Sequence, residues 1–100
     1  MVMEDRPMKP RNYMEVVVEQ YLTEELTHDT PANIIVRRSP HLVAEVMARA
    51  LNNIRPFYVT GKVGEVYGFS AGALPQNKTD IMIEIVKAIE VLAEKGYTKD

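Results

Sequence analysis

The side chains in this sequence best suited to chemistry are arginines placed just ahead of helical periodicity. Arg6 and Arg11, with Lys9 between them, precede the first amphipathic stretch, and Arg37-Arg38 precedes Ser39-Pro40, a strong helix start. A guanidinium fork grips phosphate or the Hoogsteen edge of guanine, and the free N–H groups of a helix start add positive potential beside it. Tyr13, Tyr58 and Tyr67 supply flat surfaces for base stacking, with Arg55 or Lys62 alongside. These types make a nucleotide the natural ligand class, with Arg6, Arg11, Tyr13, Arg37, Arg38, Tyr58 and Lys62 as the candidate contacts. The competing reading is that the arginines are solvated, the tyrosines half buried, and no ligand is involved.

Catalysis has far less to work with. His28 and His41 sit in turn-like contexts with no carboxylate or second histidine at metal-ligand spacing, which suits solvated or cap-adjacent roles. Ser39 and Ser70 lack a G-x-S-x-G turn, and the glycines between Gly61 and Gly72 match neither dinucleotide-binding nor P-loop spacing. Glu15, Glu19 and Glu24 lie at solvent-facing helical positions, better suited to a salt-bridging surface than to paired-carboxylate catalysis. With no cysteine there is no disulfide, thiolate metal site or cysteine nucleophile. The expectation is a non-enzymatic protein with no metal and no required cofactor.

A chain of 100 residues supports one hydrophobic core, and 46% apolar with 26% charged residues is ordinary globular composition. The longest apolar runs, such as Val16 to Val18 and Ile81 to Ile83, are three residues long, against about 20 for a membrane span. The segment from Met1 to Pro7 lacks the basic start and apolar stretch of a secretory signal, so a cytoplasmic location is expected. A formal net charge of −2 with no basic helix face argues against nucleic acid as the partner.

The elements that must position these side chains follow from periodicity and punctuation. Residues 1–11, with Pro7 and Pro10, read as an extended arm, and Asn12 as a helix cap. Tyr13, Met14, Val17, Val18, Tyr21, Leu22 and Leu26 then give helix one, ending near His28. These positions sweep roughly 220°, more than the roughly 100° stripe of one buried face, so the helix should pack on two sides. Asp29 to Asn33 is turn chemistry, and Ile34-Ile35-Val36 is either an extended segment or a single helical turn. Helix two is predicted over residues 40–54, opened by Ser39-Pro40 and stopped by Pro56. Phe57 to Thr60 and Glu65 to Phe69 read as a hairpin around Gly61 to Gly64, and residues 70–79 as a loop. Helix three, over residues 80–95, is expected to be capped by Thr79 and closed by Gly96.

The expected fold is therefore mainly α with a small β-hairpin: three amphipathic helices in one domain over residues 12–96, with a short tail at 97–100. The methionines on the apolar stripes read as core filler. Apolar arcs this broad exceed what so short a chain can bury, so a symmetric homodimer is expected.

Two segments carry a resemblance. Arg11-Asn12-Tyr13-Met14-Glu15-Val16-Val17-Val18-Glu19 opens helix one, and Ala48-Arg49-Ala50-Leu51-Asn52-Asn53-Ile54-Arg55-Pro56-Phe57-Tyr58-Val59 carries helix two to its stop and into a strand. With Gly64-Glu65-Val66-Tyr67 and the Ala88-Ile89-Glu90 helix that follows, residues 11–95 resemble the late-competence ComFB family of small bacterial proteins. The resemblance implies a homodimeric regulatory or accessory protein without known catalysis. Some members are receptors for the second messenger cyclic di-GMP, and others carry cysteines ahead of helix two that look like a zinc site. Residues 29–39 contain no cysteine, so that site does not carry over. What the resemblance implies here is a cyclic di-GMP receptor that signals to a protein partner; the alternative is a structural or adaptor homodimer of the competence type with no small ligand.

Overall fold

The computed structural model describes residues 9–60 and 76–98, with side chains up to residue 96. Its elements run in the order β1 (Arg11–Asn12), α1 (Met14–Glu25), α2 (Pro31–Arg37), α3 (Pro40–Asn52), β2 (Tyr58–Val59) and α4 (Lys78–Thr98). The mainly helical architecture agrees with the periodicity, but there are four helices rather than three. The additional one is α2, which resolves the open choice at Ile34-Ile35-Val36 in favour of a helix.

Short helices need their ends tied, and α2 is tied at both. Thr30 is its N-cap, accepting from the Asn33 N–H at 3.1 Å, and Pro31 occupies the first helical position. This is the device that Ser39 and Pro40 repeat at the start of α3, where Ser39 Oγ accepts from the Leu42 N–H at 3.2 Å. Thr30-Pro31 therefore starts a helix where turn chemistry alone is expected. β-branched Ile34, Ile35 and Val36 have modest helix propensity, so the cap and tertiary packing supply what propensity does not.

What α2 does in return is close α1. The last turn of a helix leaves carbonyls without donors. Asn33, buried at 2% exposure, donates from Nδ2 to Glu25 O at 2.9 Å and His28 O at 3.1 Å, with the Glu25 carboxylate at 3.1 Å. One turn on, Arg37 Nη1 donates to Leu26 O at 2.9 Å while Nη2 pairs with Asp29 at 2.8 Å.

The core is layered on α4. Ile81, Ile85, Ala88, Ile89, Leu92 and Ala93 are buried against Val46 and Ala50 of α3, Val36 of α2, and Met14, Val17, Val18 and Leu22 of α1. Fully burying each large aliphatic side chain contributes on the order of 1.5–3 kcal/mol, which makes α4 the main source of packing energy. The broad apolar arc of α1 is borne out, since Tyr13, Tyr21 and Leu26 pack half-buried around its fully buried stripe.

Two expected helix ends change at α4. Asn77, not Thr79, caps it, with Oδ1 accepting from the Asp80 N–H at 2.8 Å. Gly96 does not end it, because the helix continues to Thr98. Glycine is required there for space: a Cβ would lie 2.5 Å from Ile35 Cγ2 and 3.3 Å from Leu42 Cδ1.

The sheet also differs from expectation. Tyr58–Val59 is a strand, but it pairs antiparallel with β1, Arg11 opposite Val59 and Asn12 opposite Tyr58. The second strand of the expected hairpin, residues 65–69, lies outside the described residues. So do residues 1–8 of the arm.

Two stability measurements follow. Asn33→Ala should take this donor from the His28 carbonyl, leave Glu25 O with only the His28 N–H, and cost about 1–3 kcal/mol, lowering the melting temperature by roughly 10 °C in circular dichroism. A shift under about 2 °C would show that α1 does not need this donor. Gly96→Ala should destabilise by about 1 kcal/mol despite alanine's better propensity, because Ile35 Cγ2 is fixed to its own Cβ and cannot swing away. In an Ile35→Ala background the same substitution should become neutral or stabilising, and equal costs in both backgrounds would rule out this contact as the cause.

Candidate functional site

The junction of β1, β2 and the start of α1 rests on one carboxamide. Asn12 Oδ1 accepts from the Met14 N–H at 3.1 Å and from the Phe57 N–H at 3.0 Å, while Tyr13 N–H donates to Phe57 O at 2.8 Å. Asn12 thus does act at the helix start, one residue earlier than a conventional cap, since Tyr13 occupies the N-cap position. Its oxygen joins segments 45 positions apart in sequence. The Tyr13 and Phe57 rings meet edge to face beneath it, 6.5 Å apart at 75°.

Above this junction opens a cleft of about 520 Å³, lined by Lys9, Pro10, Arg11, Asn12, Glu15 and Tyr58. Two cations and one carboxylate leave it with a formal charge of +1 on a chain whose net charge is −2. Tyr58 is 63% exposed, so most of its ring is open to a flat partner. Lys9 and Arg11 both line this cleft. Glu15 stands in the first turn of α1. A larger groove of about 760 Å³ runs beside α4, but its carboxylates Glu84, Glu90 and Glu94 outnumber Arg49 and Lys87. An anion would favour the smaller cleft.

Of the candidate contacts, Arg11 and Tyr58 come together in the cleft. Tyr13 lies on the adjoining segment, half-buried against Phe57. Arg37 is held at the far end of α1 by Leu26 O and Asp29, and Arg38 is exposed as the C-cap of α2. A helix of 12 residues spans about 18 Å, so Arg11 and Arg37 of one chain are about that far apart. Arg6 and Lys62 lie outside the described residues. Lys9 and Glu15 are the charged cleft residues that the candidate set lacked. Their spacing from Arg11, two back and four on, was the available signal.

Among the described residues no group of three or more His, Asp or Glu is placed to hold a metal ion. His41 and Glu45 form an exposed pair at 2.7 Å on α3, and Ser39 Oγ is taken up by its cap. No helix among the described residues is long and apolar enough to cross a membrane.

Residues 11–95 match the family model described as late competence development protein ComFB. The chain belongs to the ComFB family. Comparison with curated proteins and with solved structures gave no significant match. The ComFB span opens on the strand residue Arg11 and closes in the last turns of α4, so it takes in the sheet, the first three helices and most of the fourth. The two segments that carry the resemblance to ComFB, at 11–19 and 48–59, meet at the Asn12–Phe57 hydrogen bond. Gly64 to Tyr67 lies outside the described residues.

Replacing Asn12 tests whether this oxygen holds the junction. Asn12→Ala leaves two N–H groups without their acceptor and should lower stability by about 1–3 kcal/mol, with faster hydrogen exchange at Met14 and Phe57. Asn12→Asp keeps an acceptor beside a helix N-terminus and should recover most of the loss. Equal exchange in all three proteins would dismiss the bridge.

Proposed function

We propose that this ComFB-family chain is a non-enzymatic, cytoplasmic regulatory protein that works as a homodimer, receives cyclic di-GMP in the β1–β2 cleft and passes that state to a protein partner. The observation that carries the reading is the convergence of Lys9, Arg11, Glu15 and the exposed Tyr58 on one cleft.

Each group suits one part of such a ligand. Lys9 and Arg11 meet phosphate charge, and Arg11 can alternatively take guanine O6 and N7 as a fork. The Tyr58 ring stacks a base. Glu15 would repel phosphate, yet a carboxylate is the complement of guanine's N1–H and N2–H₂ donors, so it favours guanine over adenine. In a twofold dimer the cleft appears twice, matching a ligand that is itself twofold symmetric. No cofactor is needed for binding of this kind.

One observation favours the alternative, an adaptor homodimer without a small ligand. Arg37 already has two partners inside the chain, so the second arginine cluster expected from the sequence is half committed.

Calorimetric titration with cyclic di-GMP, cyclic di-AMP, linear pGpG and GTP separates the two. Wild type should bind cyclic di-GMP, more weakly as salt rises. Arg11→Ala should weaken binding about 10- to 150-fold, the value of a charge-assisted contact, and Tyr58→Ala by a similar factor through lost stacking. Glu15→Gln should narrow the preference for guanine over adenine. Arg37→Ala should lower the melting temperature with affinity unchanged. No heat at about 100 µM ligand would refute the messenger reading and leave the adaptor, and tight binding untouched by Arg11→Ala and Tyr58→Ala would move the site elsewhere.

A further inference from the structure

The asparagines of this chain divide by which end of the carboxamide they use. Asn33 spends its amide on the carbonyls of Glu25 and His28, and Asn53 Nδ2 donates to Arg49 O at 3.0 Å. Asn77 spends its oxygen on the Asp80 N–H, and because the residue is exposed, water serves its amide. Asn12 also spends its oxygen, on the N–H groups of Met14 and Phe57, but it is half-buried and lines the β1–β2 cleft. Its Nδ2 has no acceptor among the described residues.

The carboxamide cannot be turned round. Reversed, its NH₂ would meet two backbone N–H donors, and both would lose their acceptor. The end that remains for the cleft is therefore the amide, held by a bridge that the fold itself requires, so a ligand meets a donor whose orientation is already fixed. Glu15, three residues on, lines the same cleft and offers acceptors alone. Guanine carries the acceptor O6 beside the donors N1–H and N2–H₂ on one edge, whereas adenine carries the donor N6–H₂ beside the acceptor N1. An amide with a carboxylate complements the first edge and sets donor against donor at N6 of the second.

We propose that Asn12 is a specificity-determining residue of the cleft, its Nδ2 donating to guanine O6 while the Glu15 carboxylate accepts from N1–H and N2–H₂. This contact rests on the cyclic di-GMP reading above and supplies the group that reads O6. Lys9 and Arg11 are then left for phosphate and Tyr58 for stacking. One side chain serves the fold through its oxygen and the ligand through its nitrogen, which ties recognition of the base to the β1–β2 pairing.

Asn12→Asp separates the two uses, because it keeps an oxygen for Met14 and Phe57 and replaces the donor with a second acceptor. Melting and hydrogen exchange at Met14 and Phe57 should stay close to wild type. In calorimetric titrations the ratio of cyclic di-GMP to cyclic di-AMP affinity should fall about 10-fold or more, and the added charge, which repels both ligands alike, cancels in that ratio. Cyclic di-IMP, which keeps O6 and N1–H and lacks the N2 amine, should lose as much affinity as cyclic di-GMP. In wild type, proton–nitrogen correlation spectra should show the Asn12 side-chain amide protons exchanging with solvent more slowly once cyclic di-GMP is bound. No binding of cyclic di-GMP by wild type would overturn the messenger reading and this contact together. Wild-type binding accompanied by an unchanged affinity ratio in Asn12→Asp, by undiminished cyclic di-IMP binding in that variant, or by amide protons that exchange no slower at saturation would overturn the Asn12 contact alone.

Discussion

A single buried amide, the Nδ2 of Asn33, holds the arrangement of the first three helices. At the end of α1 the part-buried carbonyls run short of donors, and Glu25 O has from the backbone the His28 N–H at 3.0 Å. Asn33 arrives from the next helix and donates to two of them, and Arg37 supplies a third contact from the same face of α2. Once those bonds are made, α2 is pinned across the end of α1, Val36 faces the core, and Ser39-Pro40 can start α3 in a fixed direction. A leucine at position 33 would be as well buried but would take this donor from the His28 carbonyl and leave Glu25 O with only the His28 N–H, a penalty comparable with the stabilisation that burial brings.

Asn12 plays the matching part at the other end of α1. Its oxygen accepts from the first turn of α1 and from the segment following α3, so residues 11–19 and 48–59 are joined there. The side chains projecting from that junction are the cations, the carboxylate and the exposed tyrosine of the cleft. α1 is thus clamped at both ends by asparagine, at one end to complete the fold and at the other to assemble a surface. Arg37 shows the cost of reading roles from residue type alone, because its fork is well shaped for phosphate and is engaged by Leu26 and Asp29.

Helix α4 has to satisfy two faces at once. Its inner face packs closely enough that Gly96 has no room for a methyl group, while its outer face keeps Ile83 in contact with solvent. One helix of that length gives a small chain both its largest core contribution and its longest straight exposed surface.

Local sequence determined the elements whose cause is local. The stripes of α1, α3 and α4 are visible as apolar spacing, Ser39-Pro40 marks a start by side-chain oxygen and ring geometry, and Pro56 marks a stop. Thr30-Pro31 reads as turn chemistry, and the three β-branched residues after it suit a strand as well as a helix; docking against α1 through Asn33 goes with the helix. The cations Lys9 and Arg11 were likewise visible; their meeting with Tyr58 was not, because it depends on a pairing between Arg11–Asn12 and Tyr58–Val59 that no short-range pattern encodes. Gly96 reads as a helix end because glycine often is one, and becomes a close-packing position only when Ile35 and Leu42 are brought against it. Periodicity and capping act within a few residues of chain, whereas register, close approach and the sharing of hydrogen-bond donors between helices exist only once distant segments have docked.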